Sequence, residues 1–441
     1  MTQLWDPELD TRPWHEVLAW QRAQLPGYLT DLRRRSGFYA DRLPEAAVAD
    51  ATEDDAWHQI PFLTKNDIRA NQRERAEDLL LGTLQSVPND RIVQVVGSSG
   101  TTGNPTFYGL TARDLQRWTD SLTNWITTAG VGPGNVVALT TGMPMVAGGM
   151  PYADAIRAAG ATLAWVGGQT TERMCRQLEL LRVDTLMGTA SFVSFFSERC
   201  EQELGYPARD LPIRQILAGG EPGMAQPEAR RRVLDAWGAG RLSEVMGLCD
   251  VLAGIWSQCG AGAGMHFTAA RDVHVELIDP GTGEPVAWDD GALGEAVYTH
   301  LNREATPVVR YRSRDHMRVV GTSCACGRMS PRVECVGRTD DMLIYKAMNV
   351  FPGDIRDVVM DRFADRIAGP MRLRKDHADQ VRFDAPIPLE VEIADLGDGA
   401  LAAEIEEHVR TALRVRVAVE ALEPGSIPLG MMKNALTYVR N

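Results

Sequence analysis

The chain is 441 residues long and 44% hydrophobic, too long for one ordinary core and apolar enough to fill two or three domains. Its 46 basic against 59 acidic residues give a net charge of −13, which argues against a duplex nucleic acid or an anionic membrane surface as main partner and leaves nucleotide binding open. Seven cysteines, an odd number in a large chain, fit reduced thiols or metal ligands better than a disulfide framework.

In chain order, residues up to about Gln85 carry Trp, Arg and Leu at helical spacing and are expected to form a scaffold. The first ten residues lack a basic region followed by an apolar stretch, and no apolar run reaches membrane-spanning length. A cytoplasmic location is therefore expected. Residues 91–96 read as a strand, which runs through Gly97 into Ser98, Ser99, Gly100, Thr101, Thr102, Gly103, Asn104, Pro105 and Thr106. Such a loop is suited to wrap an anion, because its glycines admit close backbone approach and its hydroxyls and N–H groups donate to phosphate oxygens. On composition alone an ordinary flexible loop is the alternative. It is not a nucleoside-triphosphatase P-loop, which needs Gly-Lys-Ser/Thr, and it does not match the dinucleotide fingerprint.

Thr111 and Asp114 form a capping-box pattern before a helix carrying Leu115, Trp118, Leu122, Trp125 and Ile126, which Gly130 closes. Short apolar runs at 136–139, 161–166, 185–187 and 213–217 alternate with helical stretches, predicting a parallel sheet covered by helices. A second glycine turn, Gly219, Gly220, Glu221 and Pro222, stands at a strand end, where open α/β sheets bind ligands. After about Leu242 the pattern is strand-rich, with residues 273–278, a turn at 279–283 and residues 294–301, and a barrel-like subdomain is expected over about 243–337. Near the end Leu389, Val391 and Ile393 alternate. Leu401, Ile405, Val409 and Leu413 follow at helical spacing, then Val415, Val417 and Val419, which together make a compact β-α-β unit.

Cys324 and Cys326 place two thiols on a tight turn, and Cys259 with His266 would complete a Cys₃His tetrahedron for zinc. Buried free thiols are the alternative, and Cys335 is a less favoured substitute ligand. With four protein ligands such a zinc is structural. Asp315 stands among Arg310, Arg312 and Arg314, where a surface ion pair is the plain reading.

In this order the segments resemble the phenylacetate–CoA ligase family of adenylate-forming enzymes, from the opening helices at 33–39 and 60–68 to Lys433. The resemblance implies an α/β fold: a large N-terminal domain over 1–338, with mostly parallel helix-covered sheets and the strand-rich subdomain, and a small α+β mobile domain over 339–441. It implies that the Ser98 to Gly103 loop grips the ATP phosphates and that Gly219, Gly220, Glu221 and Pro222 contact the adenine and the acid. Gly247 and Asp250 fall on the family's magnesium segment, Asp315 on the aspartate that holds the ribose hydroxyls, Arg338 on a nucleotide contact, Asp340 on the hinge and Lys433 on the catalytic lysine. Some relatives carry zinc at positions equivalent to the cysteine cluster.

The chain departs from the family pattern at Met246, Cys249 and Asp250, at Ala347 where a glycine passes the pantetheine arm, at Met432, and at Asn104 in place of a frequent lysine. The activity implied is formation of an acyl-adenylate from ATP and a carboxylic acid, aromatic by analogy, with transfer to coenzyme A, in a homodimer with magnesium. Candidate pocket residues lie at 142–151, Phe192, Gly219 and Met246, although Met143, Met145 and Met150 fit core packing equally well. The departures keep two alternatives: transfer to an amine, a hydroxyl or a carrier-protein thiol, and a non-catalytic nucleotide-binding zinc scaffold.

Overall fold

The computed structural model describes residues 4–74, 77–98, 105–141, 145, 147–220, 224, 227–338, 343–346, 348–377, 380–397, 399–428 and 436–439, with the backbone alone at 348 and 349. The chain divides into two compact units. The first comprises Met1–Gly220, Val233–Ser313 and Met317–Glu334, the second Glu221–Arg232, Arg314–His316 and Cys335–Asn441.

The first unit opens with helices between Pro7–Asp10 and Lys65–Glu74. Long-range hydrogen bonds hold them. Gln21 Nε2 donates to the carbonyls of Ala270 and Val273 at 2.7 and 2.9 Å, and the Tyr39 hydroxyl donates to Pro307 O at 2.9 Å. The hairpin β1 (Gln94–Gly97) and β2 (Phe107–Leu110) follows, paired antiparallel with Gly97 opposite Phe107. The helix Ala112–Thr128 carries the expected capping box, with Thr111 and Asp114 satisfying each other's backbone N–H, a motif contributing about 1 kcal/mol. Its apolar face buries Trp118, Leu122, Trp125 and Ile126, and Trp125 Nε1 donates to Trp256 O at 2.8 Å.

Strands β3 (Val136–Leu139), β4 (Thr162–Trp165), β5 (Thr185–Thr189), β6 (Gln215–Gly219) and β7 (Arg241–Leu248) are parallel in the order β4-β3-β5-β6-β7, joined by helices as the alternation predicts. The direction then reverses. Strands β8 (Leu252–Ser257), β9 (Met265–Phe267), β10 (Val273–Ile278), β11 (Leu293–His300), β12 (Tyr311–Gly321) and β13 (Arg332–Arg338) are the strand-rich stretch, and they continue the same eleven-stranded sheet beyond β7 in the order β8-β9-β13-β12-β11-β10. The Asp279 turn forms because its carboxylate accepts the Gly281 and Thr282 N–H groups at 2.9 and 2.8 Å.

The second unit holds β14 (Leu343–Tyr345), β15 (Met348–Val350), the helix Pro352–Phe363, β16 (Ile367–Lys375), β17 (Arg382–Phe383), β18 (Ile387–Ile393), the helix Leu401–Leu413, β19 (Val417–Leu422) and β20 (Thr437–Val439). Strands β18 and β19 are parallel across the intervening helix, which is the expected β-α-β unit. Leu389, Val391 and Ile393 meet Ile405, Val409, Ile355 and Val359 in one apolar core.

Candidate active site

The loop after β1 is described at its two feet. Ser98 N–H donates to Thr106 O at 2.9 Å, Thr106 N–H donates to Ser98 Oγ at 3.1 Å, and the two hydroxyls lie 2.9 Å apart. These contacts close the base of the hairpin, so the loop springs from a fixed platform. Of the residues expected to cradle phosphate, Ser98 stands in that base, while Ser99, Gly100, Thr101, Thr102 and Gly103 lie outside the described residues.

The platform continues to Asp250. Tyr108, wholly buried on β2, gives its proton to Asp250 Oδ1, and its oxygen lies 3.1 Å from the Thr106 hydroxyl. Burial first and the Asp250 charge second push the phenol far above its ordinary range, so it remains a neutral donor. A phenol has one proton. With that proton on the carboxylate side, Thr106 donates into the phenol oxygen, and a directed path runs from the loop's foot to Asp250. Asp250 itself is 6% exposed and follows β7 at the carboxyl end of the parallel strands, where open α/β sheets place their ligands.

Lys65, which sequence reasoning placed only in a scaffold segment, completes the cluster with Nζ 3.4 Å from Asp250 Oδ1. Its position is built in two steps. Leu63 is stitched to β12, its N–H donating to Arg310 O and its carbonyl accepting from Arg312 N–H, each at 2.9 Å. Thr64 and Asp67 then start the helix reciprocally, Thr64 N–H meeting Asp67 Oδ2 at 2.8 Å and Asp67 N–H meeting Thr64 Oγ1 at 3.3 Å. Pairing over this distance in sequence leaves no local signal beyond the Thr-Lys-Asn-Asp cap.

Two glycines bring the strand ends together. A methyl on Gly219 would overlap Val245 O of the neighbouring strand, and one on Gly247, at the register shift of β7, would overlap Ala253 O. Gly220 follows with φ +79°, while Glu221 and Pro222 lie outside the described residues. Cys249, in place of the family's hydroxyl residue, has its thiol pushed up by burial and by Asp250 and serves as a neutral neighbour. Met145 and Met150 are exposed and Phe192 stacks on Phe196, so core packing does not account for the two methionines; Met143 lies outside the described residues.

In the second unit Asp315 is 4% exposed and accepts from Arg338 Nη1 at 2.9 Å. Of the arginines that composition offers, Arg312 takes Glu295 at 2.6 and 3.0 Å. Asp340, Ala347, Met432 and Lys433 lie outside the described residues.

Cys259, His266, Cys324 and Cys326 come together in the first unit with their ligand atoms all within 4.8 Å of one another. Cys259 and Cys324 sulfurs are 3.6 Å apart, close to the roughly 3.8 Å edge of a tetrahedron with 2.3 Å zinc–sulfur bonds. His266 Nδ1 faces Ser330 O and Oγ at 3.1 and 3.2 Å, which leaves Nε2 towards Cys326 at 3.4 Å. The hydrogen bond between Cys259 and Cys326 holds the Cys326 thiol low and pushes the Cys259 thiol up, so without metal the two share a proton that zinc would displace. Cys335 is outside this group.

With this geometry in hand, comparison with known proteins is direct. Residues 34–300 match the family model described as AMP-binding enzyme. The phenylacetate-coenzyme A ligase of Thermus thermophilus is 30% identical over 364 residues, covering 81% of this chain and 78% of the relative. That of Escherichia coli is 30% identical over 363 residues, covering 80% and 78%. Among solved structures, a 2-hydroxyisobutyryl-CoA ligase in the postadenylation state in complex with 2-HIB-AMP superposes with a TM-score of 0.87 at 22% identity, over 98% of this chain and 92% of that one, a likeness of fold. The chain therefore belongs to the AMP-binding enzymes and, within them, to the phenylacetate–coenzyme A ligase family.

Proposed function

We propose that this chain is an AMP-forming ligase that activates a carboxylic acid, aromatic in kind, and hands the acyl group to coenzyme A. A carboxylate oxygen attacks the α-phosphorus of ATP and pyrophosphate leaves; the coenzyme A thiol then attacks the acyl carbon, losing its proton to solvent, and AMP leaves. No enzyme-bound covalent intermediate is needed, so the protein's work is orientation and charge stabilisation.

The observation that carries this reading is the path Ser98–Thr106–Tyr108–Asp250 with Lys65 beside it. It seats the foot of the phosphate loop and a hard carboxylate on one base. The Ser98 to Gly103 loop would hold the β- and γ-phosphates through backbone N–H groups and hydroxyls. Asp250, whose Oδ1 already meets Tyr108 and Lys65, would hold the magnesium that neutralises the phosphates. Gly219 to Pro222 would line the adenine and acid sites. In the second unit Asp315, aligned by Arg338, would accept the ribose hydroxyls. Lys433 would stabilise charge at the phosphorus, with residues 339–441 turning about Asp340 between half-reactions.

Cys259, His266, Cys324 and Cys326 would hold zinc as a structural ion, with no position left for catalysis. A homodimer accords with the family resemblance. Pyrophosphate exchange into ATP, measured with a panel of aryl, arylacetic and short hydroxy acids, tests the first half-reaction. No exchange with any acid would return the chain to a nucleotide-binding scaffold.

One second reading rests on Ala347 and Met432, which stand where the family has glycine. A methyl at 347 would narrow the thiol passage, favouring an amine, hydroxyl or carrier-protein thiol as acceptor. Exchange that proceeds without thioester formation when coenzyme A is added would support it.

A further inference from the structure

Three strands separate β11 from β8 in the sheet, yet the last residue of β11 reaches the turn between β7 and β8. His300 is buried there, and its Nε2 lies 2.9 Å from Val251 O. The other ring nitrogen, Nδ1, accepts Val308 N–H at 2.9 Å. A backbone N–H can only donate, so Nδ1 carries no proton. The ring is neutral with its proton on Nε2, and it donates that proton to Val251 O.

Val251 is the residue after Asp250. The turn that holds both runs from Cys249 to Val251, between Leu248 and Leu252, which pair across it. Its own closure is one bond, from Val251 N–H to Leu248 O at 3.1 Å. The carbonyl at its exit is held from outside the hairpin, by a side chain 49 positions away.

The ring is itself fixed. His300 N–H donates to Val308 O at 2.9 Å, so residues 300 and 308 are joined by two hydrogen bonds and the segment between them is a closed loop. Asp114 accepts the Glu304 and Ala305 N–H groups of this loop at 2.8 and 3.0 Å. From the same loop Arg303 Nη2 and Thr306 Oγ1 each donate to Gly109 O at 3.2 Å, and Gly109 follows Tyr108 on β2. One loop therefore grips the residue after Asp250 and the residue after Tyr108, the two partners of the buried hydrogen bond beneath the phosphate loop.

We infer that His300 is a positioning residue for Asp250, fixing through Val251 the direction of the carboxylate; this rests on the reading of Asp250 as the magnesium ligand. An aspartate has two side-chain torsions, so the direction of its oxygens follows the peptide planes beside it. Groups that orient a metal ligand from behind typically change metal affinity about 10- to 100-fold when removed. Two variants divide the ring's two bonds. His300→Asn keeps an amide oxygen near the place of Nδ1 for Val308 and reaches nothing at Val251. His300→Gln is the reverse, since its amide nitrogen reaches the place of Nε2 and the acceptor for Val308 is lost.

Three measurements on the full chain test this: histidine nitrogen resonances of the wild type, amide hydrogen exchange over residues 248–252 without ligand, and calorimetric binding of ATP with and without magnesium. The wild type should show the Nε2–H tautomer at His300. His300→Asn should weaken magnesium-ATP binding about 10-fold, hold that of metal-free ATP within about twofold, and speed hydrogen exchange in the turn. His300→Gln should stay within about twofold of the wild type for both forms of ATP. The Nδ1–H tautomer in the wild type, unchanged hydrogen exchange or magnesium-ATP binding in His300→Asn, equal loss of both forms of ATP, or equal loss in both variants overturns the positioning role. Magnesium dependence that survives Asp250→Asn overturns the reading of Asp250 instead, while the tautomer and the hydrogen exchange still decide whether His300 holds the turn.

Discussion

Tyr108 and Asp250 stand 142 positions apart and meet through one buried hydrogen bond, the phenol donating and the carboxylate accepting. This contact ties the hairpin under the phosphate loop to the turn after β7. Tyr108→Phe keeps the ring and removes the proton, leaving Asp250 with Lys65 alone. Loss of about 1–3 kcal/mol in urea unfolding is expected, together with a several-fold higher KM for magnesium-ATP. An unchanged KM would separate Asp250 from cation binding.

Gly247→Ala should be more damaging than a typical alanine substitution. The added methyl overlaps the Ala253 carbonyl, so β7 and β8 must part at the turn that presents Asp250. A destabilisation of about 2–3 kcal/mol and a fall in pyrophosphate exchange are expected. Equal thermal unfolding midpoints of variant and wild type would contradict the close approach.

Stability should fall as solutions are acidified from about pH 6.5. His300 accepts Val308 N–H through Nδ1 at 2.9 Å and lies 2.9 Å from Val251 O through Nε2, an arrangement that needs the neutral ring. Burial first and Arg303 second push it down to about 3. His274 is also pushed to about 3, by burial and then by Arg22 and Arg310. Both folded values lie below the unfolded one. The unfolded chain therefore binds more protons between pH 3 and 6.5; the stabilisation is complete above that window and drains away within it, at up to about 1.4 kcal/mol per pH unit for each ring. Urea midpoints between pH 7.5 and 5 measure the slope, which burial of the raised carboxyls of Asp10 and Asp272 opposes, and His274→Gln should make the fall on acidification shallower.

Much of this was legible in the sequence, and the limits follow from the physics. Signals whose cause is local survived: the Thr111–Asp114 cap, the parallel strands between helices and the β-α-β unit of Leu389 to Val419; Cys259 and Cys324, 65 positions apart, were legible together through their residue type, since few other side chains here offer thiolate. Lys65 and Tyr108 were missed as site residues, since each acquires its role from a partner more than 100 positions away.

One zinc per chain should be found in protein purified without added metal. Cys326→Ser should abolish it and lower the unfolding midpoint by several degrees, with the metal content by mass spectrometry as the check. Full occupancy in that variant would exclude Cys326 as a ligand.

The cysteine turn also grips the beginning of the chain. Two residues beyond Cys326, Arg328 lies 3.6 Å from Asp10, both buried, and Met329 N–H donates to Asp10 O at 2.8 Å. Asn124 Nδ2 supports the same carboxylate from 3.1 Å. Zinc bound as proposed at that turn would couple to docking of the first helix by mass action, each tenfold rise in free zinc above the dissociation constant adding up to about 1.4 kcal/mol against release of that helix. In a zinc-poor medium the helix Pro7–Asp10 should then be cut by a protease sooner than in zinc-loaded protein.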